Sequence, residues 1–230
     1  MREFVPSDSP LLNPPSSLAL KQRVAIDGVR LALDMLGMTW YRLEKELAVI
    51  STDRETPLTR ARLTSVYTDA WIIVDVVHRL RLILIALPGL KHSLEIELAV
   101  REFAEARAIR DAFQHIDKEL KNAVDHRRPL WGTITWLWTP PESVGIWSRV
   151  FTIVIGGIRD GEMPTINPLG KSADVPLGLI TVSAFGRSLE LSKLIDRVQR
   201  VATYLDSALR QTPNPLGGMA DALMSVDVHY

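Results

Sequence analysis

Cysteine is absent from this 230-residue chain, which excludes disulfides, thiolate metal sites and a disulfide-stapled secreted module. Net charge is absent as well: 27 basic residues balance 27 acidic ones. No global field gathers nucleic acid, so any polyanion site has to be a local patch. A glycine-rich phosphate loop is missing, as is any zinc-type ligand spacing among the five histidines. The most apolar stretch, WIIVDVVHRLRLILIAL, is interrupted by Asp75, His78, Arg79 and Arg81. It reads as a helix buried by protein rather than a membrane span. The first residues hold no apolar run of signal-peptide type. The expectation is a cytoplasmic protein with no membrane attachment, metal or cofactor.

What is present is a globular composition, 47% apolar and 23% charged, in a length that suits one domain. Residues 1–16, rich in Pro and Ser, read as a flexible, loosely attached segment. Ile26, Val29, Leu33, Leu36, Trp40, Leu43, Leu47 and Ile50 recur at intervals of three and four, which predicts a long first helix with a bundle seam. STDRETP breaks it, with Thr56 and Pro57 placed to start a second helix that Pro88 and Gly89 stop. Ser93 is placed to cap a third helix, with Glu95 and Glu97 in its first turn and a stripe of Phe103, Ala106, Ile109, Phe113, Ile116 and Leu120.

From Pro129 the pattern changes to β-branched and aromatic runs. LWGTITWLW and IWSRVFTIVIGG predict two strands and LITVSAF a third short one. Ser188 then caps a last helix with Leu191, Leu194, Ile195, Val198, Ala202, Leu205 and Leu209 on one face. The predicted fold is mainly α, a four-helix bundle over 17–210 with a small antiparallel β insertion at 129–186, followed by a tail at 211–230.

The residues most suited to chemistry are in RDAFQH, residues 110–115, on the third helix. Arg110 and His115 are five positions apart, roughly 140° around a helix, and need an opposing surface to enclose a substrate. Asp111 and Glu119 each lie four positions from His115, within reach to fix its tautomer and raise its basicity. A histidine of this kind suits general acid/base work and an arginine suits holding a phosphate. The same residues are equally those of a surface ion pair and an ordinary hydrogen-bonded imidazole.

RDAFQH resembles the signature of the HEPN superfamily (higher eukaryotes and prokaryotes nucleotide-binding domains), an arginine and a polar residue followed by a histidine. Arg110 and His115 match its two functional positions and Asp111 its adjacent polar one. The wider string IRDAFQHIDKEL is similar to a bacterial branch of that superfamily. The resemblance implies an all-α bundle that homodimerises to bring two motifs to one cleft. It also implies metal-independent endoribonuclease activity, or RNA or nucleotide binding, in a toxin–antitoxin or defence setting with an antitoxin or other protein partner.

Other residues carry alternatives. Asp75, His78 and Arg79 in the second helix read either as an internal Asp75–Arg79 bridge or as supports of the Arg110/His115 cleft. Asp75-x-x-His78 also fits a di-metal bundle, but no second such pair occurs in the bundle helices. Lys121, Arg127 and Arg128 are a local phosphate patch or cations favoured at a helix C-terminus. Trp131, Trp136, Trp138 and Trp147 suit base stacking or partner anchoring, against packing of one strand face on the helices. The rival to an RNA enzyme is a non-catalytic assembly or regulatory protein that binds a polypeptide through its bundle faces and tryptophan-rich hairpin.

Overall fold

The computed structural model describes residues 3–53, 58–89, 93–126, 128–140, 148–155 and 177–212. Two long helices come first, α1 (Leu20–Thr52) and α2 (Arg60–Ala86). α1 buries Ile26, Val29, Leu33, Leu36, Trp40, Leu43 and Leu47, seven of the eight residues whose spacing predicts the seam, and Ile50 is partly buried against the core. The Thr59 side chain caps α2 by accepting from the Arg62 N–H; Thr56 and Pro57 lie outside the described residues. Cross-helix pairs set the direction of the hairpin. Glu46 meets Arg62, Arg42 meets Asp69, and the Gln22 amide meets the Pro88 carbonyl. Residues ever farther from the turn pair on both helices, so the two run antiparallel.

The single third helix expected from the apolar stripe is three segments, α3 (Leu94–Glu102), α4 (Ala104–Gln114) and α5 (Ile116–Asp125). Ser93 occupies the N-cap position, but its hydroxyl makes no capping hydrogen bond. The α3–α4 joint is slight, because Phe103 keeps helical dihedrals and is fully buried. The joint at His115 is a true break, with φ −106° and ψ 40°. Its N–H donates back to the Asp111 and Ala112 carbonyls, while its own carbonyl accepts from Lys118 and Glu119. Neither proline nor glycine lies at the break. Ile109 and Ala112 are buried, whereas Leu120 and Val124 are more than half exposed. Core packing ends at this point, and no buried side chain among the described residues of α5 holds the helix axis on its earlier course.

A four-stranded antiparallel sheet follows, β1 (Thr133–Trp138), β2 (Arg149–Val154), β3 (Leu177–Ala184) and β4 (Arg187–Glu190), in the order β2-β1-β3-β4. Ser188, expected as a helix cap, instead lies in β4 opposite Ser183. The reason is a two-residue turn: Phe185 at φ +55° and Gly186 at φ +73° return the chain along β3. Helix α6 (Leu191–Arg210) then starts with no intervening loop. On β1, Ile134 and Trp136 join the helical core, and the Trp136 indole donates to Ser51 Oγ on α1 at 2.9 Å. Thr133 and Thr135 fall on the opposite face, paired with Ser183 and Thr152. The Tyr67 hydroxyl on α2 stands 2.9 Å from Gly132 O and 3.0 Å from Ile153 O. The sheet is thereby fixed to the end of the bundle where α1 turns into α2.

All seven apolar residues predicted for the last helix are buried in α6. Arg197 of α6 pairs with Glu95 and Glu102 of α3 at 2.7 and 2.9 Å, tying those helices together. The N-terminal segment is packed rather than loosely attached over its described part. Phe4, Val5 and Leu11 are buried in the core, and Ser9 donates to Asp206 at 2.6 Å. Its prolines fix turns that present these few apolar side chains, a feature its polar average conceals. No helix among the described residues is long and apolar enough to cross a membrane. Most of the 211–230 tail lies outside the described residues.

Candidate functional site

The contact between α2 and α4 brings two of the sequence-predicted clusters together. Asp75 comes from α2 and Arg110 from α4, with Arg110 Nε 3.4 Å from Asp75 Oδ1. Arg79 donates to the other Asp75 oxygen at 2.6 Å. Arg110 Nη1 reaches Asp111 at 3.5 Å, and Arg107 holds Asp111 at 3.1 Å. The result is a chain of alternating charge, Arg79–Asp75–Arg110–Asp111–Arg107, with three cations to two anions. The Arg110 side chain is 23% exposed within it. The Asp75–Arg79 bridge exists, but its arginine is 65% exposed, so it lies at the surface rather than inside.

Asp111 is a ligand of arginines here. Burial raises its pKa, but the hydrogen bonds and charges of Arg107 and Arg110 outweigh burial and hold it below the ordinary carboxylate value. Its carboxylate is directed to guanidinia, while only its backbone carbonyl receives His115. The expected Asp111-to-imidazole bond is therefore replaced by an arginine network, because the break at His115 takes the imidazole out of the regular helical path. His115 is exposed, and Glu119 is partly buried one turn into α5.

The other imidazole of the region behaves differently. His78 on α2 is 6% exposed, and its Nδ1 is buried without a hydrogen-bond partner among the described residues. Burial pushes its pKa down; Arg110 and Arg81 push the same way, against Asp111 and Asp75. A neutral imidazole beside Arg110 is the consequence. Arg81 is occupied at the Val100 carbonyl, 2.9 Å away.

The remaining candidates are dispersed. Lys121 is exposed on α5, Arg127 lies outside the described residues, and Arg128 is exposed just before β1. Trp136 is buried as a structural anchor, Trp138 is partly buried against the core, and Trp147 lies outside the described residues. Trp131 is 44% exposed. It ends an aromatic series in which Trp71 stacks on Phe113 at 4.2 Å and Phe113 meets Trp131 at 5.0 Å. Thus one strand face does pack on the helices, and one described indole reaches solvent beside the end of α4.

Residues missed by sequence reasoning are Arg107, Arg187 and Thr133. Arg107 was legible as a partner four positions before Asp111. Arg187 reaches the Ala108 carbonyl of α4 from β4, a contact that local spacing does not reveal. Among the described residues, no three His, Asp or Glu side chains are grouped to hold a metal ion. Comparison with protein-family models, with curated proteins and with solved structures finds no match to this chain.

Proposed function

We propose that this is a HEPN-type RNA-binding protein whose chemistry is metal-independent endoribonucleolysis, in a homodimer that joins two Arg110/His115 motifs. In this reading α1, α2, the composite α3–α5 and α6 are the four positions of the bundle, and the sheet is an insertion. The observation that carries it is the position of Arg110: partly exposed, on α4, aligned by Asp75 and Asp111, with His115 exposed where α4 ends. Carboxylates on either side hold the guanidinium in place before a substrate arrives. His115 takes the proton of a ribose 2′-hydroxyl or supplies one to the leaving 5′-oxygen, and Arg110 neutralises charge on the scissile phosphate. A toxin–antitoxin or defence setting in the cytoplasm, with an antitoxin as partner, belongs to the same reading.

The test is cleavage of varied single-stranded RNAs in EDTA by the full chain, by His115→Ala and by Arg110→Gln. Loss of cleavage in both variants supports the assignment. Unchanged cleavage in His115→Ala overturns the mechanism.

A second reading has its own observation. Between α2 and α3 lies an open, mostly apolar groove of about 560 Å³, lined by residues including Leu84, Ile85, Ile96 and Val100. Such a groove favours a non-catalytic protein that seats an amphipathic segment of another polypeptide. Absence of RNA cleavage and RNA binding transfers the weight to this reading.

A further inference from the structure

A separate cleft opens where the start of β1 meets the β3–β4 turn. It has a volume of about 220 Å³ and is lined by Arg128, Arg187, Thr133, Ser183 and Ser188 among others, with no carboxylate among the described residues of its wall. That is room for a polyatomic group rather than for one or two waters. Neither guanidinium is ion-paired among the described residues. Arg187 is tethered by one Nη1 bond to the Ala108 carbonyl, which orients the fork and leaves its other N–H donors for a ligand.

The polar floor points the same way. Thr133 is 1% exposed, and its buried Oγ1 has no hydrogen-bond partner among the described residues. A buried hydroxyl without a partner is uncommon, and a ligand oxygen is one explanation of it. Ser183 and Ser188 share a hydrogen bond of 2.9 Å, in which either is the donor. One hydroxyl proton of that pair is left to give. Among the described residues of the wall, two guanidinia with three hydroxyls and no acid match an oxyanion that accepts several hydrogen bonds, and arginine is the side chain that recognises phosphate in a planar, bidentate way.

We infer that this cleft binds a phosphate group, either free or terminal on a small molecule, or as a phosphodiester of single-stranded RNA. Arg128 and Arg187 supply the charge, and Thr133 with the Ser183–Ser188 pair supplies the short contacts. The inference stands on the cleft itself and does not depend on cleavage at Arg110 and His115.

The experiment titrates the full chain with inorganic phosphate and, separately, with a short unphosphorylated single-stranded RNA at low salt. Wild type is compared with Arg128→Gln, Arg187→Gln, Thr133→Val and Thr133→Ser. The expected result is phosphate binding that weakens about tenfold in each arginine variant, as loss of a charge-assisted contact implies. It weakens severalfold in Thr133→Val, returns in Thr133→Ser, and falls with added salt. Phosphate binding with this dependence assigns a free or terminal phosphate; RNA binding alone with the same dependence assigns the backbone phosphodiester. Arg187→Gln also removes the tether to α4, so Arg128→Gln and Thr133→Val carry the decision. Failure of wild type to bind either probe, or binding unchanged in both of those variants, overturns the inference whatever becomes of RNA cleavage.

Discussion

Arg110 reaches from α4 to Asp75 on α2 at 3.4 Å, while Arg79 holds the second oxygen of the same carboxylate at 2.6 Å. Asp75 thus both aligns Arg110 and competes for it. A phosphate that approaches Arg110 meets a guanidinium already partly neutralised.

Replacement of that carboxylate separates the two roles. Because the partners are partly exposed, Asp75→Asn changes unfolding free energy by no more than about 1 kcal/mol. If Arg110 contacts phosphate, its charge is less compensated in Asp75→Asn, and RNA binding tightens roughly fivefold at low salt. Fluorescence anisotropy with a labelled RNA measures this. Weaker binding in the variant sinks the competition argument and leaves Asp75 as a positioning residue.

His78 sets a pH window. Burial, reinforced by Arg110 and Arg81, holds its folded pKa below the ordinary value, although Asp111 and Asp75 pull the other way. The fold therefore favours the neutral imidazole. Its contribution is fully present above about pH 6.5, the unfolded value, and is lost as pH falls from there through the folded one. The lowered carboxylates Asp111, Glu102 and Asp206 give up their contributions only at more acidic pH. Urea midpoints of wild type should drop between pH 7 and pH 5. In His78→Gln that drop should shrink, and an identical drop would remove His78 from the account.

The helical seams were legible in the sequence because burial repeats along α1 and α6 with the period of the helix. The strand alternation of β1 was legible for the same reason. The break at His115 was not, since no local residue causes it; the core simply ends under α4. Ser188 was misplaced because a serine before an apolar run suits both a cap and the strand that Phe185 and Gly186 turn back. The Asp75–Arg110 pairing spans 35 residues. Each half was visible as a charged residue in an apolar stretch, but their meeting depends on how α4 packs on α2. Arg187 and Thr133 gave no local signal, because the cleft they line is made by strand pairing.

Arg197 tests the join between α3 and α6. Its side chain is 10% exposed and answers two glutamates. Its hydrogen bond to Glu102 lowers the Glu102 pKa, with burial opposing and the Arg197 charge assisting. Arg197→Met takes from Glu95 and Glu102 the cation they share and leaves Glu102 only the charges of Lys193 and Arg101, which is costlier than loss of the pair itself. The expected loss is about 2–4 kcal/mol near neutrality, below the figure for fully buried pairs because the glutamates are partly solvated. Glu102 then titrates closer to its ordinary value, so the deficit narrows as pH falls through the carboxylate range. A denaturant series at pH 7 and pH 4 reads both effects. A deficit that is constant across that range would assign the loss to packing of the arginine stem.

Two glycines on the wall of the phosphate cleft make the last prediction, because each has a positive φ but only one lacks space. At Gly132, φ is +76°, and an added Cβ would sit 2.2 Å from the Ser183 carbonyl oxygen. That oxygen belongs to the β3 backbone and cannot move without disturbing the β1–β3 pairing. At Gly186, φ is +73°, and the nearest atom is Arg128 Nη1 at 3.3 Å, the end of a flexible side chain. Gly186→Ala therefore pays mainly for the left-handed conformation, about 1 kcal/mol. Gly132→Ala adds a steric overlap with backbone, for about 3 kcal/mol or more in total. Urea unfolding of the two variants measures the difference. Equal midpoints would show that the strand ends shift freely, and that the close approach of Gly132 to Ser183 does not fix the floor of the cleft.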